Sequence, residues 1–311
     1  MSAQTFRGRP VRHFEPPHSL GGKLRAYRYV LLRRLVQVGT LVLFFATAHW
    51  GLSVLGRPLL QGNLSASEVL GAVPLADPFA ALQIFLTRHV LEAEVLLGAA
   101  LVLAVYAVLG GRVWCAWVCP VNMVTDAAAW LRRRLGVHDA FTLSRKVRYW
   151  VLGLALVLSA ATGLAAFEWV SPIGIVHREV LYGLGLGWMA VLGIFLLDLL
   201  VLRHGWCGHL CPLGAFYAAV GGVAQVRVAF DDATCTRCGD CARVCPEPQV
   251  IRPALKGEEQ GRGPVILSGE CTNCGRCIDI CPQDVFNMGT RYHNVPPDAE
   301  RDVPRKAASA R

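Results

Sequence analysis

Cys235-Thr-Arg-Cys238-Gly-Asp-Cys241-Ala-Arg-Val-Cys245-Pro246 is followed, some two dozen residues on, by Cys271-Thr-Asn-Cys274-Gly-Arg-Cys277-Ile-Asp-Ile-Cys281-Pro282. Each half reads C-x2-C-x2-C-x3-C-P. In this pattern three thiolates on a tight loop seat three irons of a [4Fe–4S] cube, and the fourth ligates the cube of the other half. The spacing therefore assigns Cys235, Cys238, Cys241 and Cys281 to one cluster, and Cys271, Cys274, Cys277 and Cys245 to a second. Gly239 and Gly275 let the loop backbone approach the sulfides closely. Zinc and disulfides fit less well, because structural zinc sets two C-x2-C pairs well apart. Two adjacent cubes make a wire, which needs an electron donor and an acceptor.

The chain has 311 residues, of which 54% are hydrophobic and 17% charged. With a mean hydropathy of +0.41, it is too apolar for an ordinary soluble protein. The formal charge of +9 argues for no nucleic-acid partner, since the basic residues flank apolar runs as positive-inside charges do. All twelve cysteines fall in four short motifs, a usage that fits metal or redox work in a reducing compartment. The basic first thirty residues, broken by Pro10, Pro16 and Pro17, show no cleavable signal peptide.

The expected fold is an α-helical membrane protein with four transmembrane helices, arranged as two parallel two-helix repeats, plus a C-terminal bacterial-type 2×[4Fe–4S] ferredoxin domain. Residues 1–28 read as a mobile cytoplasmic tail and 29–226 as the four-helix domain. Residues 227–290 read as the ferredoxin domain, and 291–311 as a disordered tail. The spans run from about Leu35 to Leu55, Val90 to Leu109, Tyr149 to Trp169, and to a fourth end near Leu202, each close to the ~20 residues a crossing needs. Gly56 to His89, with short helical pieces such as Asp77 to Thr87, and Ser171 to Gly187 are expected outside. Arg112, Arg132, Arg133, Arg134, Arg145, Lys146 and Arg148 mark the inner side. The expected location is a bacterial inner membrane, multi-pass, with both termini cytoplasmic.

Trp114-Cys115-Ala-Trp-Val-Cys119-Pro120 closes the second span. Trp206-Cys207-Gly-His-Leu-Cys211-Pro212 closes the fourth, ninety-two residues later. Upstream, Asp77-Pro78-Phe79 matches Ser171-Pro172-Ile173 more weakly. A parallel repeat places the two W-C-x3-C-P motifs face to face about a pseudo-two-fold axis along the membrane normal. Cys115 and Cys119 share a helical face, as do Cys207 and Cys211. Pro120 and Pro212 suit a first helical turn, which puts Cys119 and Cys211 where the helix dipole favours thiolate. Three readings follow for these four thiols: a shared third redox centre, iron–sulfur in character; a thiol–disulfide couple; or helix packing.

Oxidation of a quinol needs a lipid-accessible pocket, hydrogen-bond partners and a base, and ionisable groups in or beside spans are the candidates. Asp198 inside the fourth span, His209 just beyond it and His177 on the outer side are the catalytic expectations. No histidine pair reads as bis-histidine haem ligation.

From about Arg33 to Arg291 these features resemble the NapH family, the ferredoxin-type membrane subunits of the quinol dehydrogenase that serves periplasmic nitrate reductase. The likeness extends to Gly62-Asn63, Val73-Pro74-Leu75-Ala76-Asp77-Pro78 and His204-Gly205-Trp206-Cys207-Gly208-His209. It implies an electron-transfer subunit that draws on ubiquinol or menaquinol. The implied partners are a NapG-like iron–sulfur protein and a NapC-like multihaem cytochrome. The implied acceptor is periplasmic whereas the clusters are expected inside, so either electrons return across the membrane or the clusters regulate or mature another protein. CcoG-type maturation factors resemble the core but imply a further span and domain, and thirty residues follow Cys281. NosR-type regulators imply a large outer flavin domain. MauN-like methylamine-utilisation proteins match in size, and a pure membrane anchor is a further alternative.

Overall fold

The computed structural model describes residues 5–6, 9–183, 185–231, 234–255 and 265–292. Its N-terminal two thirds repeat one order of helices. The first half runs α1 (Arg28–Trp50), α2 (Pro78–Arg88), α3 (Ala93–Leu109), α4 (Val113–Trp117) and α5 (Val121–Leu135). The second runs α6 (Val147–Thr162), α7 (Pro172–Tyr182), α8 (Trp188–Val201), α9 (Trp206–Leu210) and α10 (Pro212–Val220). The last turn of α8, Leu197–Val201, and all of α9 are widened to π geometry.

Local chemistry sets these boundaries. Asp77 caps α2, its Oδ2 accepting from the Ala80 N–H at 3.2 Å, with Pro78 in the first turn. Cys211 does the same for α10, its Sγ accepting from the Gly214 N–H at 3.4 Å ahead of Pro212. After α3 the chain must pass Gly111, where a Cβ would lie 1.9 Å from the Tyr217 carbonyl oxygen of α10. Only glycine fits so close an approach.

The helix lengths correct the expected spans. Helix α1 has 23 residues and is, among the described residues, the one helix long and apolar enough to cross a membrane alone. Helices α3 and α6 have 17 and 16 residues, or about 26 and 24 Å at 1.5 Å per residue. The third stops at Gly163 rather than Trp169, and Ala166–Val170 forms a separate turn.

The segments expected as outer loops differ more. Helices α2 and α7 fold inward, burying Phe79, Gln83, Ile173 and His177. Gln83 Oε1 accepts from Ser159 Oγ of α6 at 3.3 Å and from the Phe167 N–H at 2.9 Å. At 11 residues each they are too short to register as spans, yet each carries an apolar face that must be covered. Between α1 and α2 an unforeseen antiparallel sheet forms from β1 (Leu60–Gly62), β2 (Ala66–Val69) and β3 (Val73–Ala76).

In the C-terminal half, β4 (Val226–Phe230) pairs antiparallel with β5 (Phe286–Thr290), Val226 opposite Thr290 and Phe230 opposite Phe286. Between them lie α11 (Asp240–Val244), α12 (Pro248–Leu255) and α13 (Arg276–Asp279). Gly239 and Gly275 head α11 and α13 in the left-handed region, at φ 83° and 73°. A Cβ at Gly275 would meet the Tyr29 ring at 2.2 Å, so this glycine also admits α1 to the domain. Within the expected N-terminal tail, the described residues from Pro10 onward make ordered contacts. The Phe14 N–H donates to Asp240 Oδ2 at 2.9 Å, and a helix at Leu20–Ala26, capped by Ser19, leads into α1. The C-terminal tail from residue 293 lies outside the described residues.

Candidate metal centres

Cys245, Cys271, Cys274 and Cys277 line one small cavity. The x3-C-P cysteine of the first half is thus set among the three thiols of the second. Cys241 lies in the field of Cys235, Cys238 and Cys281, which groups the other four. Among the described residues no cluster of His, Cys, Asp or Glu is drawn together as a single metal ion requires. The four thiols of the Cys245 set line one cavity together, a donor set of the kind an iron–sulfur cube takes.

The four cysteines of the W-C-x3-C-P motifs line another small cavity, walled by Trp114, Trp206, Phe167 and the Pro172-Ile173 start of α7. The helix-start dipoles expected to favour thiolate meet a stronger effect. Burial pushes the Cys211 thiol up to about 12 and the Cys119 thiol also upwards, outweighing the nearby amides. Free thiols held this way are poor nucleophiles near neutral pH, and metal coordination is what would hold them as thiolates.

A buried cluster of charges joins the two cavities. Arg112, 2% exposed, donates to Glu247 Oε1, to the Glu270 carbonyl at 3.1 Å and to the Cys207 carbonyl at 3.2 Å. It therefore touches the residue before Cys271 and the backbone of Cys207 together. Arg145 donates to Glu247 Oε2, and Arg148 to Glu247 Oε1 at 2.8 Å and to Glu270 Oε1. Burial alone would raise the Glu247 carboxyl; the three guanidiniums outweigh it and hold it down to about 2. Asp126 plays the same part nearer α1. It pairs with Arg276, Arg34 and Arg33, which together lower its carboxyl against the cost of burial. Asn273 completes the seam, its Nδ2 donating to the Leu109 and Val226 carbonyls at 3.1 and 3.0 Å. Sequence reasoning took Arg112, Arg145 and Arg148 for flanking charge. The signal that separates them is Arg112 following Gly111 and standing two residues ahead of Trp114, the first residue of the W-C-x3-C-P motif.

The three residues expected to handle protons sit apart. Asp198 Oδ1 accepts from the Trp206 N–H at 3.0 Å, steadying the second motif turn. His209 is buried in that turn, its Nδ1 3.4 Å from the His204 carbonyl. His177 packs edge-on against Phe44 at 4.8 Å. None of them lines the largely apolar cavity of about 210 Å³ between α1 and α3, where Tyr217 Oη donates to Asp77 Oδ1 at 2.9 Å. Neither residue of that pair was singled out as a proton carrier from the sequence.

Thiol-lined cavities in a ferredoxin-type domain, joined to a second set beneath apolar helices, define an iron–sulfur electron-transfer protein. Comparison with known proteins agrees. A family model described as a 4Fe-4S dicluster domain matches residues 234–285, and one described as a 4Fe-4S binding domain matches twice, at 93–138 and 184–228. The twofold match carries one W-C-x3-C-P motif in each copy. The methylamine utilization ferredoxin-type protein MauN of Methylorubrum extorquens is 49% identical over 89% of this chain and 94% of its own. The ferredoxin-type proteins NapH of Haemophilus influenzae and Escherichia coli are 44% and 41% identical, over 86% and 87% of this chain and 91% and 92% of theirs. The chain belongs to this NapH and MauN family of ferredoxin-type proteins. No solved structure matches it.

Proposed function

We propose that the chain is the membrane subunit of a quinol dehydrogenase, passing electrons from ubiquinol or menaquinol through three iron–sulfur centres. In this reading α1, α3, α6 and α8 are four spans in a bacterial inner membrane, with both termini cytoplasmic. A belt of exposed apolar side chains supports it, including Leu35, Val38, Leu96, Leu97, Trp150, Leu154, Met189 and Leu192. Helices α3, α6 and α8, unlike α1, are short for a hydrocarbon core of ~30 Å, and local thinning or flanking residues accommodate such mismatch. The crossed ligand sets would hold two [4Fe–4S] clusters. When bound, these groups supply one-electron transfer at potentials tuned by surrounding charge and hydrogen bonds. Arg112, Arg145 and Arg148 provide that charge.

The observation that carries the third centre is the convergence of Cys115, Cys119, Cys207 and Cys211 on one cavity, close in size to that of the Cys245 set. Iron and acid-labile sulfide analysis of anaerobically purified protein tests it, because three cubes carry about twelve irons and two carry about eight. EPR after adding each quinol then tests the donor. By family resemblance the partners are a NapG-like iron–sulfur protein and a NapC-like cytochrome, with periplasmic nitrate reductase as the destination.

A second reading, service to methylamine utilisation, is favoured by the 49% and 46% identities to two MauN proteins. Deleting the gene and comparing growth on methylamine with nitrate respiration separates the two.

A further inference from the structure

We infer that a quinol headgroup binds in the cavity between Asp77, Tyr217 and Trp114, and that the Asp77 carboxylate accepts its hydroxyl proton. This rests on the quinol-dehydrogenase reading above. The cavity, about 210 Å³, is smaller than the ~300–1,000 Å³ of whole small-molecule sites and has room for a headgroup ring rather than for the entire quinol. Thr40 and Phe44 of α1 and Val102 of α3 give it largely apolar walls, suited to an aromatic ring.

Polar groups gather at one place. Tyr217 Oη holds Asp77 Oδ1 at 2.9 Å and the Ala80 N–H holds Oδ2 at 3.2 Å. An ionised carboxylate has about four acceptor sites, so room for a quinol hydroxyl remains. The Tyr106 ring packs edge-on against Tyr217 at 5.5 Å and against Trp114 at 6.1 Å. Trp114 lines both this cavity and the one ringed by the four motif thiols. Its indole N–H is buried with no acceptor among the described residues, a donor whose partner a bound ligand would supply. A headgroup here is one indole ring from Cys115 and its three companion thiols.

The groups facing Asp77 are Tyr217 on α10, Tyr106 on α3 and Glu168 in the turn after α6. Asp77 lies outside the four apolar segments, and burial there raises its carboxyl to about 6, against the pull of the Tyr217 hydrogen bond. A polar line leads away from it. The Asp77 N–H donates to the Ser65 carbonyl at 2.7 Å, and Ser65 Oγ donates to Glu168 Oε2 at 2.8 Å. Oxidising a quinol to a quinone breaks two O–H bonds. Both protons would leave in turn through Asp77, and both electrons would leave singly to the iron–sulfur centre that Cys115, Cys119, Cys207 and Cys211 would hold, the oxidant of the step. Asp77 must be ionised to accept, so the rate rises with pH through about 6 and then levels.

The test uses the full chain, reconstituted with its clusters in liposomes. Binding is read by fluorescence quenching of heptyl-hydroxyquinoline N-oxide, a quinol mimic. Cluster reduction by decylubiquinol and by menadiol is followed from about pH 5 to about pH 8. Asp77→Asn should slow reduction by about 100-fold and abolish its rise with pH, and Tyr217→Phe should slow it less. Leu64→Trp, which fills the cavity, should weaken the mimic at least about tenfold. Iron content and reduction by dithionite should match the parent protein in all three variants. If quinol reduces the parent but all three variants behave like it, the site is elsewhere and the inference is overturned, while the quinol reading stands. If the mimic binds and Leu64→Trp expels it, yet no quinol reduces the clusters, the binding site is supported and the dehydrogenase reading falls. A parent protein that neither binds the mimic nor accepts electrons from quinol overturns both.

Discussion

Replacing Glu247 with Gln keeps the shape of the side chain and removes the charge on which Arg112, Arg145 and Arg148 converge. Glu247 is 2% exposed, so solvent screens little of the change. Breaking a buried ion pair from one side costs about 3–5 kcal/mol. The lower end applies, because Arg112 keeps the Glu270 and Cys207 carbonyls, Arg145 keeps the Pro246 carbonyl and Arg148 keeps the Glu270 carboxylate. Linkage gives a similar figure. A carboxyl held down to about 2 from its ordinary 4.5 contributes roughly 3 kcal/mol when ionised, at 1.36 kcal/mol per pKa unit.

The sign follows from a folded-state value below the unfolded one. The contribution is fully present above pH 4.5 and is lost as pH falls towards 2. Glu270, also lowered by Gln249 and Arg148 against its burial, adds in the same direction. Urea unfolding of the detergent-solubilised protein, read by tryptophan fluorescence, should therefore show Glu247→Gln less stable by about 3 kcal/mol. That gap should stay constant from about pH 8 to about pH 5 and narrow below. A gap under about 1 kcal/mol, or one that widens as pH falls below the ordinary glutamate value, would refute the claim that this carboxylate fastens the two halves together.

Three further outcomes are expected. Cys245→Ser should disturb the cluster built on Cys271, Cys274 and Cys277 more than the one built on Cys235, Cys238 and Cys241. Resolved EPR signals report this, and selective loss of the second would contradict the crossed ligation. Cys207→Ser should remove about four irons per chain by chemical analysis, whereas unchanged iron would make the four motif thiols a packing feature. Gly275→Ala should destabilise by at least about 1–3 kcal/mol, since the position sits at φ 73° with the Tyr29 ring against it. Gly222→Ala, with nothing within 4 Å, serves as the comparison in the same urea titration, and equal stability of the two variants would count against the Tyr29 contact.

The cysteines were legible because cluster ligation is written in local spacing: x2, x2 and x3 are fixed by loop geometry and carry their meaning wherever the loop sits. The twin W-C-x3-C-P motifs were legible for a related reason, since an internal repeat needs only the chain compared with itself. What the sequence hid was burial of charge. Arg112 and Glu247 stand 135 positions apart, and neither belongs to a periodic pattern. An arginine at the end of an apolar run has the same local context whether it meets water, a headgroup or a carboxylate. The inward helices were hidden differently. Eleven residues of mixed composition in α2 fall below any span threshold, although Phe79 and Gln83 are wholly buried. Asp77 combines both difficulties: its own sequence neighbours show a helix cap, and its second role depends on Tyr217, 140 positions away. Asp198 was chosen instead because it lies within an apolar run, and that criterion finds costly residues without separating those that hold a turn from those that face a cavity. Spacing therefore singles out the thiols that would hold a cluster, but only packing shows which charges and carboxylates stand around them.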